Sequence, residues 1–135
     1  MDLSQALDIS AAGMDVQTKR LRVIAENLAN QDSTGSSPGA TPYRRKTTMF
    51  ETVLDRTTGA DLVKIKAIVP DPTVFPQKYD PSSPAADANG YVRTPNVNSF
   101  VEMMDMREAE RSYSANLNVM QASRSMLTRV IDLLK

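Results

Sequence analysis

Four carboxylates crowd one stretch of the chain, Glu102, Asp105, Glu108 and Glu110, and a pair of acids flanking a glycosidic bond is the machinery of sugar hydrolysis. On a helix, however, these four spread over a polar face among Arg107 and Arg111, the pattern of a solvated, salt-linked surface. Asp87-Ala88-Asn89-Gly90 opens like a calcium loop, with oxygen ligands two apart and a glycine for the turn. No third ligand precedes the glycine and no bidentate glutamate follows it at the required distance, so a structural turn is the expectation. Arg44-Arg45-Lys46 could grip a phosphate or an acidic partner, but three charges in a neutral chain are too few for nucleic acid and predict a solvated strand face. Histidine and cysteine are both absent. That removes the commonest general base, the soft metal ligands, thiol nucleophiles and disulfides. The expectation is no enzyme: no catalytic residue, no metal and no cofactor.

Lysine plus arginine and aspartate plus glutamate balance at 16 each, so no long-range field gathers nucleic acid or anionic lipid. The chain opens Met-Asp-Leu-Ser-Gln without a basic region or a continuous apolar run, which predicts neither a cleaved signal peptide nor a membrane span.

The elements that position these residues follow from where proline falls. All eight prolines lie between Pro38 and Pro95, leaving a punctuated centre between two helix-competent arms. In the first arm Leu7, Met14, Leu21 and Leu28 recur every seven residues, flanked by Leu3, Ala11, Ile24 and Ala25. In the second Met106, Tyr113, Met120, Leu127 and Leu134 repeat that spacing, supported by Ala109, Leu117, Val130 and Ile131. Both are amphipathic helices with a coiled-coil period. Gln17, Asn116, Ser123 and Arg124 sit where a strict second heptad position would be aliphatic, so each seam is narrow. At about 1.5 Å per residue the arms would be roughly 40 Å and somewhat under 60 Å long. A lone antiparallel pair of such rods leaves a flank of each helix wet, which predicts further helices from copies or relatives. The alternative is that the arms pack onto the central segment as an ordinary soluble α+β protein-binding module.

The centre begins with a Ser-, Gly- and Pro-rich loop at residues 31–42. Tyr43 to Leu54 and Leu62 to Val69 read as strands, the second because Val63, Ile65, Ala67 and Val69 alternate with Leu62, Lys64, Lys66 and Ile68. Asn89-Gly90 before Tyr91-Val92 signals a tight turn. Asn27 and Asn30 end the first apolar run, where they can satisfy free carbonyls or permit a left-handed cap. The fold expected is α+β, with long N- and C-terminal helices pairing as an antiparallel coiled coil around a small central β-rich segment of three or four strands. The segments are 1–30, 31–95 and 96–135.

Ile24-Ala-Glu-Asn-Leu-Ala-Asn30, followed by Asp32, Ser33 and Thr34, resembles the N-terminal signature of flagellar rod and hook proteins. The run from Asp80 to Asn98 looks like the narrower hallmark of a proximal-rod member of that family, and Tyr113-Ser-Ala-Asn116 resembles its C-terminal motif. The matching positions are Asn27, Leu28, Asn30, Asp80, Pro81, Gly90, Tyr91, Pro95, Asn96 and Asn116. The tract from Ser36 to Thr41 departs from the pattern. The resemblance implies a structural subunit that leaves the cytoplasm, uncleaved, through the flagellar type III export apparatus. It would then assemble helically in the periplasmic rod with copies of itself and other rod proteins, transmitting torque from motor to hook. It implies no nucleic acid, no direct membrane insertion and no small-molecule ligand.

Overall fold

The structure, a computed structural model, describes residues 3–134; Met1, Asp2 and Lys135, at the ends of the expected arms, lie outside the described residues. Helix α1 runs Leu3–Ala29 and helix α2 Ser99–Leu133. Asn30 ends the first by turning back its amide: Nδ2 donates to the Glu26 carbonyl at 2.9 Å. Among the described residues no non-glycine has positive φ, so the carbonyl-satisfying role of Asn30 is the one used, and a left-handed cap is not. The second helix starts where Asn98 Oδ1 accepts the Phe100 and Val101 N–H groups at 3.0 and 3.4 Å, an N-cap that takes up orphan donors of the first turn.

Between the helices lie two separate two-stranded sheets rather than one. Strands β1 (Lys46–Leu54) and β2 (Asp61–Pro70) form a hairpin. Its turn is held by Asp55, whose carboxylate accepts from the Thr57 N–H at 2.9 Å and the Thr58 hydroxyl at 3.0 Å. Along β2 Val63, Ile65, Ala67 and Val69 are half-buried while Lys64, Lys66 and Ile68 are exposed, the period of a sheet with one covered face. Strands β3 (Gln77–Tyr79) and β4 (Tyr91–Arg93) pair antiparallel with Lys78 opposite Val92. Pro70, Pro72 and Pro76 lack N–H donors, so no ladder carries through from β2 to β3.

The chain forms two compact units. The first comprises residues up to Leu21, Thr48–Ala67 and those from Met106 onward. Within it Gly13 faces Asn116 and Arg20 pairs with Glu108 at 3.2 Å; rising numbers on α1 meet falling numbers on α2, so the helices are antiparallel. Its core is small: Val16, Ala60 and Ala109, with Ser10 and Ser123 buried beside them. The second unit comprises Arg22–Thr47 and Ile68–Asp105, and buries Val23, Ile24, Ala85 and Val92 together with Asn27 and Glu102. The fold is α+β, as the sequence predicts. Among the described residues no helix is long and apolar enough to cross a membrane.

Candidate functional site

Asn27 and Glu102 are the largest fully buried side chains, and both are polar. Burying such groups is tolerated only when their hydrogen bonds are made, and here they are. Asn27 Nδ2 donates to the Lys46 carbonyl at 2.8 Å and to Glu102 Oε2 at 3.2 Å. Its Oδ1 accepts from the Lys46 N–H and the Tyr43 hydroxyl, each at 2.9 Å. The other oxygen of Glu102 takes the Nε–H of Arg45, whose remaining nitrogens reach Asp71 at 3.1 Å and Asp105 at 3.3 Å. Asn96 completes the ring: Oδ1 accepts the Arg45 N–H at 2.7 Å, and Nδ2 donates to the Asp71 and Thr73 carbonyls at 3.2 and 3.1 Å. Arg44 donates to the Asp71 carbonyl at 2.7 Å and lies 4.1 Å over the Phe75 ring, a cation–π contact.

This clasp joins the end of α1, the approach to β1, the turn after β2 and the first turn of α2. Burial works against the charge on Arg45, but the bonds and charges of Glu102 and Asp71 outweigh it and raise its pKa. The Thr73 hydroxyl and N–H, and then Arg45, hold the Asp71 carboxyl below its ordinary range.

Two expectations are corrected here. Glu102 is not on a solvated polar face but wholly buried, because Asn27 and Arg45 meet both its oxygens. Arg44-Arg45-Lys46 is not simply a solvated strand face: strand β1 starts only at Lys46, and Tyr43 and Arg45 are drawn inward by Asn27 and Glu102. A signal for this was present. Glu102, Ala109, Asn116 and Ser123 form their own seven-residue series, legible if small and polar residues are admitted to a seam.

From Ala109 onward, that series is where the helices of the first unit approach. A Cβ added to Gly13 would lie 2.7 Å from Asn116 Nδ2, inside contact distance, so glycine is what leaves room there for the Asn116 side chain. Asn116 is held by donating to the Ser112 carbonyl at 3.0 Å, and Ala109 and Ser123 of the same series are buried. The expected seam residues sit beside this line. Leu7, Met14, Leu21, Leu28, Met106, Tyr113, Leu117 and Met120 are half-buried, while Leu127 and Leu134 are exposed. From Arg124 to Leu134 every residue is exposed.

The remaining motif residues cluster around the β3–β4 turn. Gly90 has φ +82°, and a Cβ there would come 2.9 Å from Tyr79, so two demands single out glycine. Tyr91 and Tyr79 meet edge to face with centroids 5.3 Å apart. Asp80 Oδ1 accepts the Ser82 hydroxyl at 2.6 Å, which with the Ser82 N–H lowers the Asp80 pKa. Asp87 Oδ1 accepts the Asn89 and Tyr91 N–H groups at 2.9 Å, a side-chain-capped turn. Pro81 flanks Gly90 and Pro95 is buried. Asn30 binds the Glu26 carbonyl. Among the described residues no group of acidic side chains is arranged to hold a metal.

Long antiparallel helices that touch through glycine, serine and asparagine, with leucine and methionine left on their flanks, define a subunit of a larger assembly. Comparison with known proteins specifies it. The family described as flagellar basal body rod FlgEFG protein C-terminal matches residues 88–133. The flagellar basal-body rod protein FlgC of Agrobacterium fabrum is 52% identical over 98% of this chain and 96% of its own length. The proteins of the same name from Aquifex aeolicus and Salmonella typhimurium are 40% and 37% identical, each over 98% of this chain and 97% and 98% of their own. The chain belongs to the FlgC family of flagellar basal-body rod proteins, structural subunits of the rod.

Proposed function

We propose that this chain builds the proximal part of the rod, assembling helically through its terminal helices so that torque passes from motor to hook. Its segments divide the work: residues 1–30 and 96–135 form the axial helices, and 31–95 the loop and β-rich part presented to neighbours. The contact residues are Leu7, Met14, Leu21, Met106, Tyr113, Leu117, Met120, Leu127 and Leu134, together with Leu28. It crosses the inner membrane through the flagellar type III export apparatus without losing a signal peptide, and works in the periplasmic space beside copies of itself and other rod proteins. It catalyses nothing and takes no nucleic acid, lipid, metal or small-molecule ligand.

The observation that carries this reading is the run of apolar residues left in water along α2, with Leu127 and Leu134 40% and 82% exposed. An isolated soluble module has no use for such a stripe, whereas a subunit covers it on assembly. The test is Leu127→Asp, which places an unpaired charge at a contact meant to be dry. Cells carrying this variant in place of the native chain should yield basal bodies lacking it, while the purified variant keeps the far-UV circular dichroism of the native protein. Normal incorporation would overturn the assignment of the stripe to assembly.

A further inference from the structure

The Ser-, Gly- and Pro-rich loop of the second unit has almost nothing apolar to bury, yet it is folded, and its two ends are fastened to the end of α1. The Ser33 N–H and hydroxyl donate to the Asn30 carbonyl and Oδ1, each at 3.1 Å. The Tyr43 N–H closes the base of the loop on the Ser33 carbonyl at 2.9 Å, and the Tyr43 hydroxyl is held by Asn27 in the clasp. Between these anchors residues 34–41 are exposed apart from Gly35 and Ala40, which are half-buried. Those two lie against each other: a Cβ on Gly35 would come 2.5 Å from the Ala40 Cβ, so the loop closes on itself only with glycine there.

Across the loop stands one face of the β3–β4 sheet. Side chains alternate between the faces of paired strands, and with Gln77 opposite Arg93 and Lys78 opposite Val92, Gln77, Tyr91 and Arg93 share a face while Val92 is buried on the other. These three and the loop's Gly35, Gly39 and Ala40 line a cavity of about 100 Å³. Arg93 reaches from the strand to the loop, its Nη2 donating to the Gly39 carbonyl at 2.8 Å. Gly39 has φ +81° with open space around it, a backbone conformation that glycine adopts freely.

We propose that residues 34–41 are a strap that opens and closes over this face of the sheet, on hinges at Ser33 and Tyr43, with Arg93 as its latch and the clasp staying shut throughout. A segment with so little buried apolar surface opens at low cost, and its closed state rests on the hydrogen bonds that it makes. Arg93 stands on a paired strand, so its donor is in place before the strap arrives. The strap itself carries no charged side chain, and the latch is therefore a charged donor on a neutral carbonyl, a bond whose loss shifts such an equilibrium about tenfold. The hinge residues are tied to Asn27 and Asn30 independently of Arg93, so release of the latch frees the strap and not its anchors. Opening uncovers the cavity and the side of the sheet that bears Tyr91, and the β-rich part thus has two surfaces to present from one fold.

Amide exchange on the full chain, read residue by residue, separates the two parts. The Ala40 N–H, bonded to the Ser37 carbonyl at 3.1 Å, reports on the strap, and the amides of residues 23–27 report on the helix end that the clasp holds. Arg93→Met keeps the bulk of the side chain and removes its donors. It should speed exchange at Ala40 about tenfold while residues 23–27 and the near-ultraviolet signal of the Tyr79–Tyr91 pair stay as in the native chain. Gly35→Ala crowds Ala40 with the latch still present, and should speed exchange at Ala40 from inside the strap with the same two controls unmoved. Unchanged exchange at Ala40 in Arg93→Met, or loss of the tyrosine signal with it, would overturn the latch. Equal acceleration at residues 23–27 in either variant would overturn the independence of strap and clasp.

Discussion

Asn27 uses every hydrogen-bonding site of its amide that the clasp offers, two donors outward and one oxygen shared by two donors. Replacing it by alanine leaves the Lys46 carbonyl and a Glu102 oxygen without this partner in a dry place, for a loss of about 3 kcal/mol. Thermal unfolding of Asn27→Ala should show a correspondingly large fall in Tm, and an unchanged Tm would remove the clasp from the account of stability. Asp71 offers a second check. Its folded pKa lies below the ordinary 3.8, so its contribution is fully present above that pH and is lost as pH falls from there through the folded value. Unfolding measured from pH 6 to pH 2 should therefore show acid destabilisation that is smaller in Asp71→Asn. The sequence made Asn27 visible as a motif position but not as a buried hub, because its partners Tyr43, Arg45, Lys46 and Glu102 are brought to it only by the fold. Arg45 in particular reads as one of three interchangeable surface cations until its guanidinium is seen against Glu102, Asp71 and Asp105.

At the scale of elements, both helices and the two strands β1 and β2 were legible, since proline placement, seven-residue spacing and alternation along β2 are local signals, but their pairing as a separate two-stranded sheet was not. The strand start at Lys46 rather than Tyr43 was not, because the residues before it serve the clasp instead of a ladder. Nor was the line of helix contact. Hydrophobic periodicity marks the largest apolar stripe, whereas helices can also meet where a small residue leaves room for a neighbour's side chain, and Gly13 opposite Asn116 follows the second rule. Gly90→Ala tests the turn element: the left-handed conformation alone costs about 1–2 kcal/mol, and the new methyl meets Tyr79. The variant should unfold at lower temperature and lose the near-ultraviolet signal of the Tyr79–Tyr91 pair. Gly13→Leu should separate the helices of the first unit, read as faster amide exchange around residues 10–20 and 109–120.

For the molecule as a whole, stability should be uneven. The second unit is pinned by a satisfied polar network, while the far end of α2, from Arg124 to Leu133, is exposed throughout. Hydrogen exchange on dilute protein should find the amides of residues 124–133 exchanging orders of magnitude faster than those of residues 23–27, since opening free energy follows local burial. In isolated rods the difference should shrink. Equal protection in the dilute protein would mean that the stripe is already covered and that assembly adds nothing to it. The fold class was open to the sequence because it depends on patterns within each arm. Which surfaces remain uncovered depends on the register between the arms, and that information is spread over pairs such as Arg20 and Glu108 that lie 88 positions apart.

Glu102 stands 75 positions after Asn27 along the chain, and Arg45, Asp71 and Asn96 come between. A polypeptide made from its N-terminus thus brings out the whole centre before the carboxylates of α2 arrive to shut the ring. A copy stalled or cut short anywhere before that point has no way to lock its two arms in step. The clasp therefore closes late, written into the order of the residues: the centre is held to both helices only once the start of α2 has been made.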